Sequence, residues 1–394
     1  MASDLGTRAG SDRPSILQRE RSLRPDMLML IAYLALAGLG ILMVYTASAP
    51  RLIADGLDPA STMRRHAVFV VLGVGAFIAA SLVDNRALRM ATPVLYIGSV
   101  LLLVMVLTPL GEVRKGANRW IAIGPFQLQP SEFAKLGVIL ALAALLATAV
   151  DASLRWYHLM RAAGIVAIPA VLIFSQPDLG TMLVVAFIAG VMLFAAGTTW
   201  RQLVFLVLSA VVGTIALFQV NALQAYQITR LTSFVDPSAG LEATALYNQV
   251  QSKIAIGSGG FFGKGLLQGT QTNLSFVPEQ ATDFIFTAVG EQLGFVGATL
   301  VLALYLVIVW RLLVAAVNGR DRFSQLLAIG VAAFFVFHVI VNVGMTLQVM
   351  PVTGLPLPFL SNGGSAFLAM SIALGFGHSV WMRRSPVPGE RKIL

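Results

Sequence analysis

Three stretches of the chain set charged or hydrogen-bonding side chains among apolar neighbours, which is where chemistry is most often found. In Pro130-Ser131-Glu132-Phe133-Ala134-Lys135, proline suits a first helical turn, and Glu132 and Lys135 share a face at i and i+3. An ionisable group within an apolar span needs a partner or a task, so a structural ion pair and a place in a substrate cavity are both open readings. In Thr282-Asp283-Phe284-Ile285-Phe286 and the residues after it, Asp283, Thr287 and Glu291 stand at i, i+4 and i+8. That spacing predicts one helix face with two carboxylates, the first at the water boundary and the second two turns deeper. A carboxylate placed like Asp283 can act as a general base or simply cap the helix. The third stretch runs from Pro351 to Ser365 and holds Pro351, Pro356 and Pro358. Prolines forbid a regular helix, and irregular backbone at membrane depth survives only where protein or a water-filled cavity surrounds it. Ser361, Gly363, Gly364 and Ser365 then open a helix whose free N–H groups suit a phosphate, a re-entrant packing loop being the other reading.

Several chemistries are disfavoured. Gly257, Gly259, Gly260, Gly263 and Gly265 crowd one stretch, but Lys264 precedes a glycine rather than Ser or Thr, so no nucleotide-binding loop follows. His66, His158, His338 and His378 are scattered without metal-ligand spacing, there is no Asp-x-Asp pair, and with no cysteine there is no thiolate chemistry. Nothing points to nucleic acid.

The elements that must position these residues follow from composition. Of 394 residues, 57% are hydrophobic and 11% charged, against roughly a quarter charged in soluble chains. Apolar runs fall at about 27–49, 67–84, 90–110, 130–150, 158–175, 180–198, 202–222, 284–317, 324–350 and 364–382. At about 20 residues per crossing, this predicts an all-α polytopic membrane protein of ten transmembrane helices, with a large outer loop at 223–282 between helices seven and eight. Residues 1–24, with Arg8, Arg13, Arg19, Arg21 and Arg24, are too polar for a typical cleaved signal peptide and read as a cytoplasmic tail. The membrane domain is expected over 25–383 and a second cytoplasmic tail over 384–394. With both termini inside, 17 of the 27 basic residues face the cytoplasm, in keeping with the positive-inside rule. The ten on the outer side suggest an anionic ligand. Segments 111–129 and 223–282 are too long for simple turns. In the second, Leu246, Val250 and Ile254 lie opposite Gln249 and Lys253, which predicts an amphipathic helix on the membrane surface.

These motifs resemble a known family. Lys115-Gly116-Ala117-Asn118-Arg119-Trp120, Gln129-Pro130-Ser131-Glu132, Gln176-Pro177-Asp178-Leu179-Gly180-Thr181, Pro278-Glu279 with Thr282-Asp283-Phe284-Ile285-Phe286, and Pro351-Val352-Thr353-Gly354 through Gly363-Gly364-Ser365 are similar, in order and position, to the SEDS proteins, the group of RodA, FtsW and the sporulation homologue. Gly344-Met345-Thr346 looks more like RodA, which implies elongation rather than division. The resemblance implies a peptidoglycan glycosyltransferase of the bacterial inner membrane that polymerises lipid II into a lipid-linked glycan. It also implies as partners a class B penicillin-binding transpeptidase and elongation-complex membrane proteins. The family's essential acid falls on Asp283, while Trp120, Glu132, Lys135, Asp178 and Glu279 match positions that line or support the cavity, with Glu291 beyond. The reaction so implied is an inverting transfer with a polyprenyl pyrophosphate leaving group, for which Arg114, Lys115, Arg119, Lys135 and Lys264 are candidate cations. No cofactor is required, and a divalent cation, magnesium or manganese, is compatible with the pyrophosphate. Two departures stand out: Ala281 where many members have histidine, and Asn362 where tyrosine commonly precedes the glycine pair. A division-type polymerase and a lipid II flippase are the competing readings, the second resting on Glu132, Lys135 and Glu291 as a translocation path.

Overall fold

The structure is a computed structural model that describes residues 24–114, 117–124, 126–149, 154–219 and 243–384. Its helices are α1 (Met27–Ala54), α2 (Ser61–Leu82), α3 (Asn85–Val106), α4 (Pro130–Leu146), α5 (Trp156–Ser175), α6 (Leu179–Ala195), α7 (Trp200–Gln219), α8 (Ala243–Ser258), α9 (Thr270–Asn273), α10 (Ile285–Val317), α11 (Arg322–Thr346) and α12 (Gly364–Met382). Each of the ten apolar runs coincides with one helix among α1 to α7 and α10 to α12. Seven of these, α1, α2, α3, α5, α10, α11 and α12, are long and apolar enough to cross a membrane, and α6 and Trp200–Gly213 are shorter apolar helices. Both tails, together with Phe234 and Leu241 of the large loop, lie outside the described residues.

Burial follows the sequence pattern. A helix that is apolar all round belongs in the interior, and every residue of α4 except Phe133 and Ala144 is buried. It packs with α3, α6 and α11, while α12 packs on α2 and α10 lies between α1 and α11. The outer helices α3 and α5 instead turn Met90, Val94, Ile97, Met160, Ile168 and Val171 outward, an apolar surface suited to lipid.

At one end, Asp26 fastens three helices. Its Oδ1 accepts from Met29 N (3.1 Å), its Oδ2 from Arg311 Nε (2.7 Å), and its own N–H donates to His378 Nε2 (2.9 Å). The Arg311 guanidinium lies 3.9 Å from the Trp381 ring centroid.

At the opposite end, the expectation of an all-helical chain needs correction. Segment 111–129 forms an antiparallel sheet in the order β1 (Gly111–Arg114), β2 (Ala117–Ile123) and β3 (Phe126–Leu128). Glu112 faces Trp120 and Ile121 faces Leu128, with a bulge between Glu112 and Val113. The physical reason is local: β-favouring Val113, Trp120, Ile121, Ile123 and Phe126 recur between glycines over strands too short for periodicity to reveal.

The longest apolar run is also not one helix. Gly294 has φ 67° and ψ −162°, which breaks α10. The glycine-rich stretch packs against this break and satisfies its backbone. Lys264 N and Gly265 N donate to the carbonyls of Glu291 (3.0 Å) and Gln292 (3.1 Å), while Phe295 N and Val296 N donate to Gly260 (3.0 Å) and Phe261 (3.1 Å). Only glycine allows both that φ and the contact with the Gly263 backbone.

Helix α8 is present and amphipathic, with its apolar Tyr247, Val250 and Ile254 exposed and Gln249 and Ser252 buried. Gln249 Nε2 donates to Met350 O (2.8 Å) and Met345 O (3.3 Å), and Ser252 Oγ to Thr346 O (2.8 Å). These bonds occupy C-terminal carbonyls of α11 that the helix itself leaves open.

Candidate active site

The turn carrying Asp283 is built around one carbonyl. Glu279, at φ 57°, accepts through its main-chain oxygen from the N–H groups of Thr282 (3.2 Å), Asp283 (3.0 Å) and Phe284 (3.3 Å). The exposed Glu279 carboxylate accepts from Thr282 Oγ1 (3.1 Å). Because these N–H groups turn back on Glu279, α10 begins only at Ile285, with Phe284 at its cap position. Asp283 therefore precedes the helix rather than sharing a helical face with Thr287 and Glu291, and it is not the helix cap. It is half-buried.

The proline-rich segment comes to the same place. Gly354, at φ 73°, lies so close that a Cβ added there would be 3.5 Å from Asp283 Oδ2. Asn342 Nδ2, on α11, donates both to Asp283 O (2.8 Å) and to Leu355 O (2.7 Å), and Asn362 N donates to Ala281 O (2.8 Å). The start of α6 reaches the segment from another side, since a Cβ on Gly180 would meet Thr353 O at 2.7 Å. Asp178 caps α6, accepting from Thr181 N (3.2 Å) and Thr181 Oγ1 (2.9 Å). The second and third stretches singled out above, together with the Gln176–Thr181 motif, thus converge around one irregular loop.

Glu291 serves as an anchor. Although fully buried, its carboxylate accepts from Lys264 Nζ (3.1 Å), Gln271 N (2.8 Å), Thr272 N (3.0 Å) and Thr272 Oγ1 (2.7 Å). It holds α9 against α10, and Gln280 Nε2, donating to Thr272 Oγ1 (2.9 Å), ties the Asp283 turn to that anchor.

Glu132 and Lys135 also form a buried knot. Lys135 Nζ donates to Glu132 Oε1 (2.8 Å), lies 3.2 Å from His338 Nε2, and sits 5.1 Å from the Phe334 ring centroid. His338 Nδ1 is 2.9 Å from Phe334 O. A carbonyl can only accept, so Nδ1 carries the proton and Nε2 accepts from lysine.

Among the remaining candidates, the Arg119 guanidinium donates to the carbonyls of Gln176 (2.9 Å, through Nε) and Pro177, joining β2 to the α5–α6 junction. Trp120 is half-buried in the same strand. The Arg114 side chain and all of Lys115 lie outside the described residues. Ser361 Oγ accepts from Leu357 N (2.9 Å), while Ser365 Oγ donates to Gln127 O (2.6 Å) and accepts from Gln129 N (3.1 Å). Gly364 is packed against the Phe69 ring, and Gly363 starts α12 with no side-chain cap. Both serine hydroxyls are thus engaged by backbone, while the first turn of α12 keeps N–H groups that no side chain caps. Among the described residues, no three His, Asp or Glu side chains converge as metal ligands.

Sequence reasoning passed over His338 and Asn342. They stand with Thr346 at i, i+4 and i+8 in an otherwise apolar helix, and all three are fully inaccessible. That polar stripe was the available signal. Two members hold different parts of the site, His338 the lysine knot and Asn342 the Asp283 turn, while the Thr346 hydroxyl bonds back to Val343 O (2.8 Å).

The chain has relatives among known proteins. A family model described as "Cell cycle protein", FTSW_RODA_SPOVE, matches residues 26–385. The chain is 34% identical over 374 residues to the probable peptidoglycan glycosyltransferase FtsW of Trichlorobacter lovleyi, covering 93% of this chain and 96% of that protein. It is 36% identical over 360 residues to the peptidoglycan glycosyltransferase MrdB of Escherichia coli strain K12, covering 91% and 94%. Among solved structures, a peptidoglycan synthase complex coordinating polymerization and crosslinking matches with a TM-score of 0.76 and 32% identity over 91% of this chain and 98% of that one. The rod shape determining protein RodA of Thermus thermophilus matches with a TM-score of 0.68 and 31% identity over 92% and 99%.

Proposed function

The chain belongs to the FtsW, RodA and SpoVE family and is a membrane-embedded peptidoglycan glycosyltransferase, and from that premise we propose that it polymerises lipid II with Asp283 as general base. The observation that carries this reading is the junction of the Asp283 turn with the Pro351–Ser365 loop, where Gly354 leaves room beside the carboxylate. A base must lie within hydrogen-bond reach of the hydroxyl it deprotonates. Here it would take the proton of the acceptor sugar's 4-hydroxyl as that oxygen bonds to the donor's anomeric carbon. The bond from that carbon to the pyrophosphate breaks, and the electron pair leaves with the polyprenyl pyrophosphate.

Departing negative charge calls for cations and backbone donors. Lys135 is tied to Glu132 and His338, and Lys264 to Glu291, so these two stabilise the walls of the site. Arg119 is likewise held, by the Gln176 and Pro177 carbonyls, so Arg114, Lys115 and the uncapped start of α12 are the candidates for the pyrophosphate. Among the described residues no three His, Asp or Glu side chains converge to hold a divalent ion; a magnesium or manganese ion would arrive on the pyrophosphate, and no step is routed through it. The same ion pairs speak against a flippase. Glu132, Lys135 and Glu291 are spent on neighbours, which does not suit a path along which charge is passed.

The further parts of the proposal are ten membrane crossings with both termini cytoplasmic, the sheet and the large loop outside, a class B penicillin-binding transpeptidase as partner, and a place in elongation. The synthase complex among its structural relatives supports the partner, and Gly344-Met345-Thr346 supports elongation.

Asp283→Asn keeps shape and removes basicity. With purified protein and lipid II in detergent, it is expected to abolish glycan formation while the variant remains folded and monodisperse. Turnover at the wild-type rate would refute the base assignment, and an inactive wild type would refute the polymerase reading itself.

A further inference from the structure

We infer that Asn342 is the positioning residue of this reaction, a clamp whose single amide nitrogen fixes the Asp283 turn against the proline-rich loop and so sets the height of the carboxylate in the cleft. The inference rests on the polymerase reading and deepens it. Asn342 sits on α11, fully inaccessible, with Nδ2 2.8 Å from Asp283 O and 2.7 Å from Leu355 O. Turning the amide over would set Oδ1 against two carbonyl oxygens, so its orientation is fixed by chemistry. Both N–H groups of one nitrogen are therefore used, and they join two irregular segments that share no regular secondary structure.

Each segment has other attachments, several of which lead elsewhere. The Asp283 turn is tied through Gln280 and Thr272 to Glu291 on α10. The loop is tied to itself by Ser361 and Leu357, and Tyr305 donates to Pro358 O. Asn362 N to Ala281 O bridges the two segments farther along the loop (2.8 Å). Asn342 is the bridge to the Asp283 carbonyl itself, with the Leu355 carbonyl next to Gly354 as its other end. A side chain that touches neither substrate nor the reacting carboxylate can thus govern where that carboxylate stands.

The amide has a second consequence. A proline carries no N–H, and the Pro351–Ser365 loop holds three of them, so carbonyls of the loop draw on donors from outside it. Asn342 supplies one to each side from the stable core of the bundle. Its neighbours on the polar stripe are already committed, His338 to Lys135 and the Thr346 hydroxyl to the Val343 carbonyl of its own helix.

The test compares Asn342→Leu, which preserves volume and removes both donors, with Asn342→Gln, which preserves the two-donor amide. Glycan formation from lipid II is followed with purified protein in detergent, beside wild type and Asp283→Asn. A misplacement of about 1 Å can lower turnover about 10²-fold, so Asn342→Leu should lose about that factor in kcat, with KM changed less than about threefold and a monodisperse elution profile. Asn342→Gln should regain much of the lost kcat. Wild-type turnover in Asn342→Leu, a loss confined to KM, or equal loss in the Leu and Gln variants would each overturn the clamp, the last by showing that packing alone is at stake. An inactive wild type would instead remove the polymerase reading beneath it.

Discussion

At the scale of single residues, the site is a set of buried polar groups that hold one another. Lys135 illustrates the energetics. Leaving one member of a buried ion pair without its partner costs about 3–5 kcal/mol, whereas apolar replacement of both is close to neutral. Lys135→Met should accordingly destabilise the detergent-solubilised protein by about that amount, and Lys135→Met combined with Glu132→Leu should recover most of it. Denaturant unfolding followed by tryptophan fluorescence checks this; equal losses in the single and double variants would contradict the coupling. Glu132 and Lys135 were legible in the sequence because charge inside apolar runs is rare, whereas Asp283, just ahead of the run at 284–317, was singled out as the essential acid by the family resemblance. His338 and Asn342 were not, since an uncharged polar side chain in a membrane helix is common and only its three-dimensional partners reveal its task. Gln280 escaped for the same reason: its bond to Thr272 joins residues whose spacing carries no periodic signal.

At the scale of elements, a helix lies on each of the ten apolar runs, and seven of those helices are long and apolar enough to cross a membrane, because a bilayer demands about 20 apolar residues per crossing and leaves few other patterns. The three short strands and the break in α10 were hidden. One glycine among 36 does not announce that it adopts φ 67°; the contact with Gly263 that requires it is contributed by a loop some thirty residues earlier. Gly294→Ala is expected to cost about 1–3 kcal/mol in backbone strain, with further loss because the new Cβ would collide with the Gly263 backbone. A lowered unfolding temperature in a scanning assay checks it. An unchanged value would mean that the break is not held by these contacts. The amphipathic helix α8 was also foreseeable, but not the use of its polar face. Gln249 and Ser252 look like solvent-facing residues, and they are instead donors to the end of α11.

At the scale of the whole molecule, a cysteine-free chain allows orientation to be read without background. Lys253 is exposed on α8 near the proposed outer face, and Gly319 lies between α10 and α11 near the proposed inner one. In intact spheroplasts, Lys253→Cys should react with a membrane-impermeant maleimide, while Gly319→Cys should react only after the membrane is opened. The reverse pattern would invert the topology. The arrangement also accounts for the distribution of charge. Ionic groups in the described interior are tied in pairs or knots, and the apolar faces of α3 and α5 are left to the lipid.

The broken helix has a bearing on altitude. As a continuous rod, the 33 residues of α10 would rise about 50 Å, at about 1.5 Å per residue. The hydrocarbon slab is only about 30 Å thick. Measured from Gly294, the remaining rod is about 35 Å long, close to that thickness, and the glycine-rich stretch is hydrogen-bonded across the break. A sugar carried on a prenyl chain cannot float far from the headgroups, because its diphosphate is moored there. Continued straight past Gly294, the helix would carry its first turn about 15 Å farther along the rod axis, away from anything so moored. The proposed place of the acid at the waterline thus rests on a single left-handed glycine.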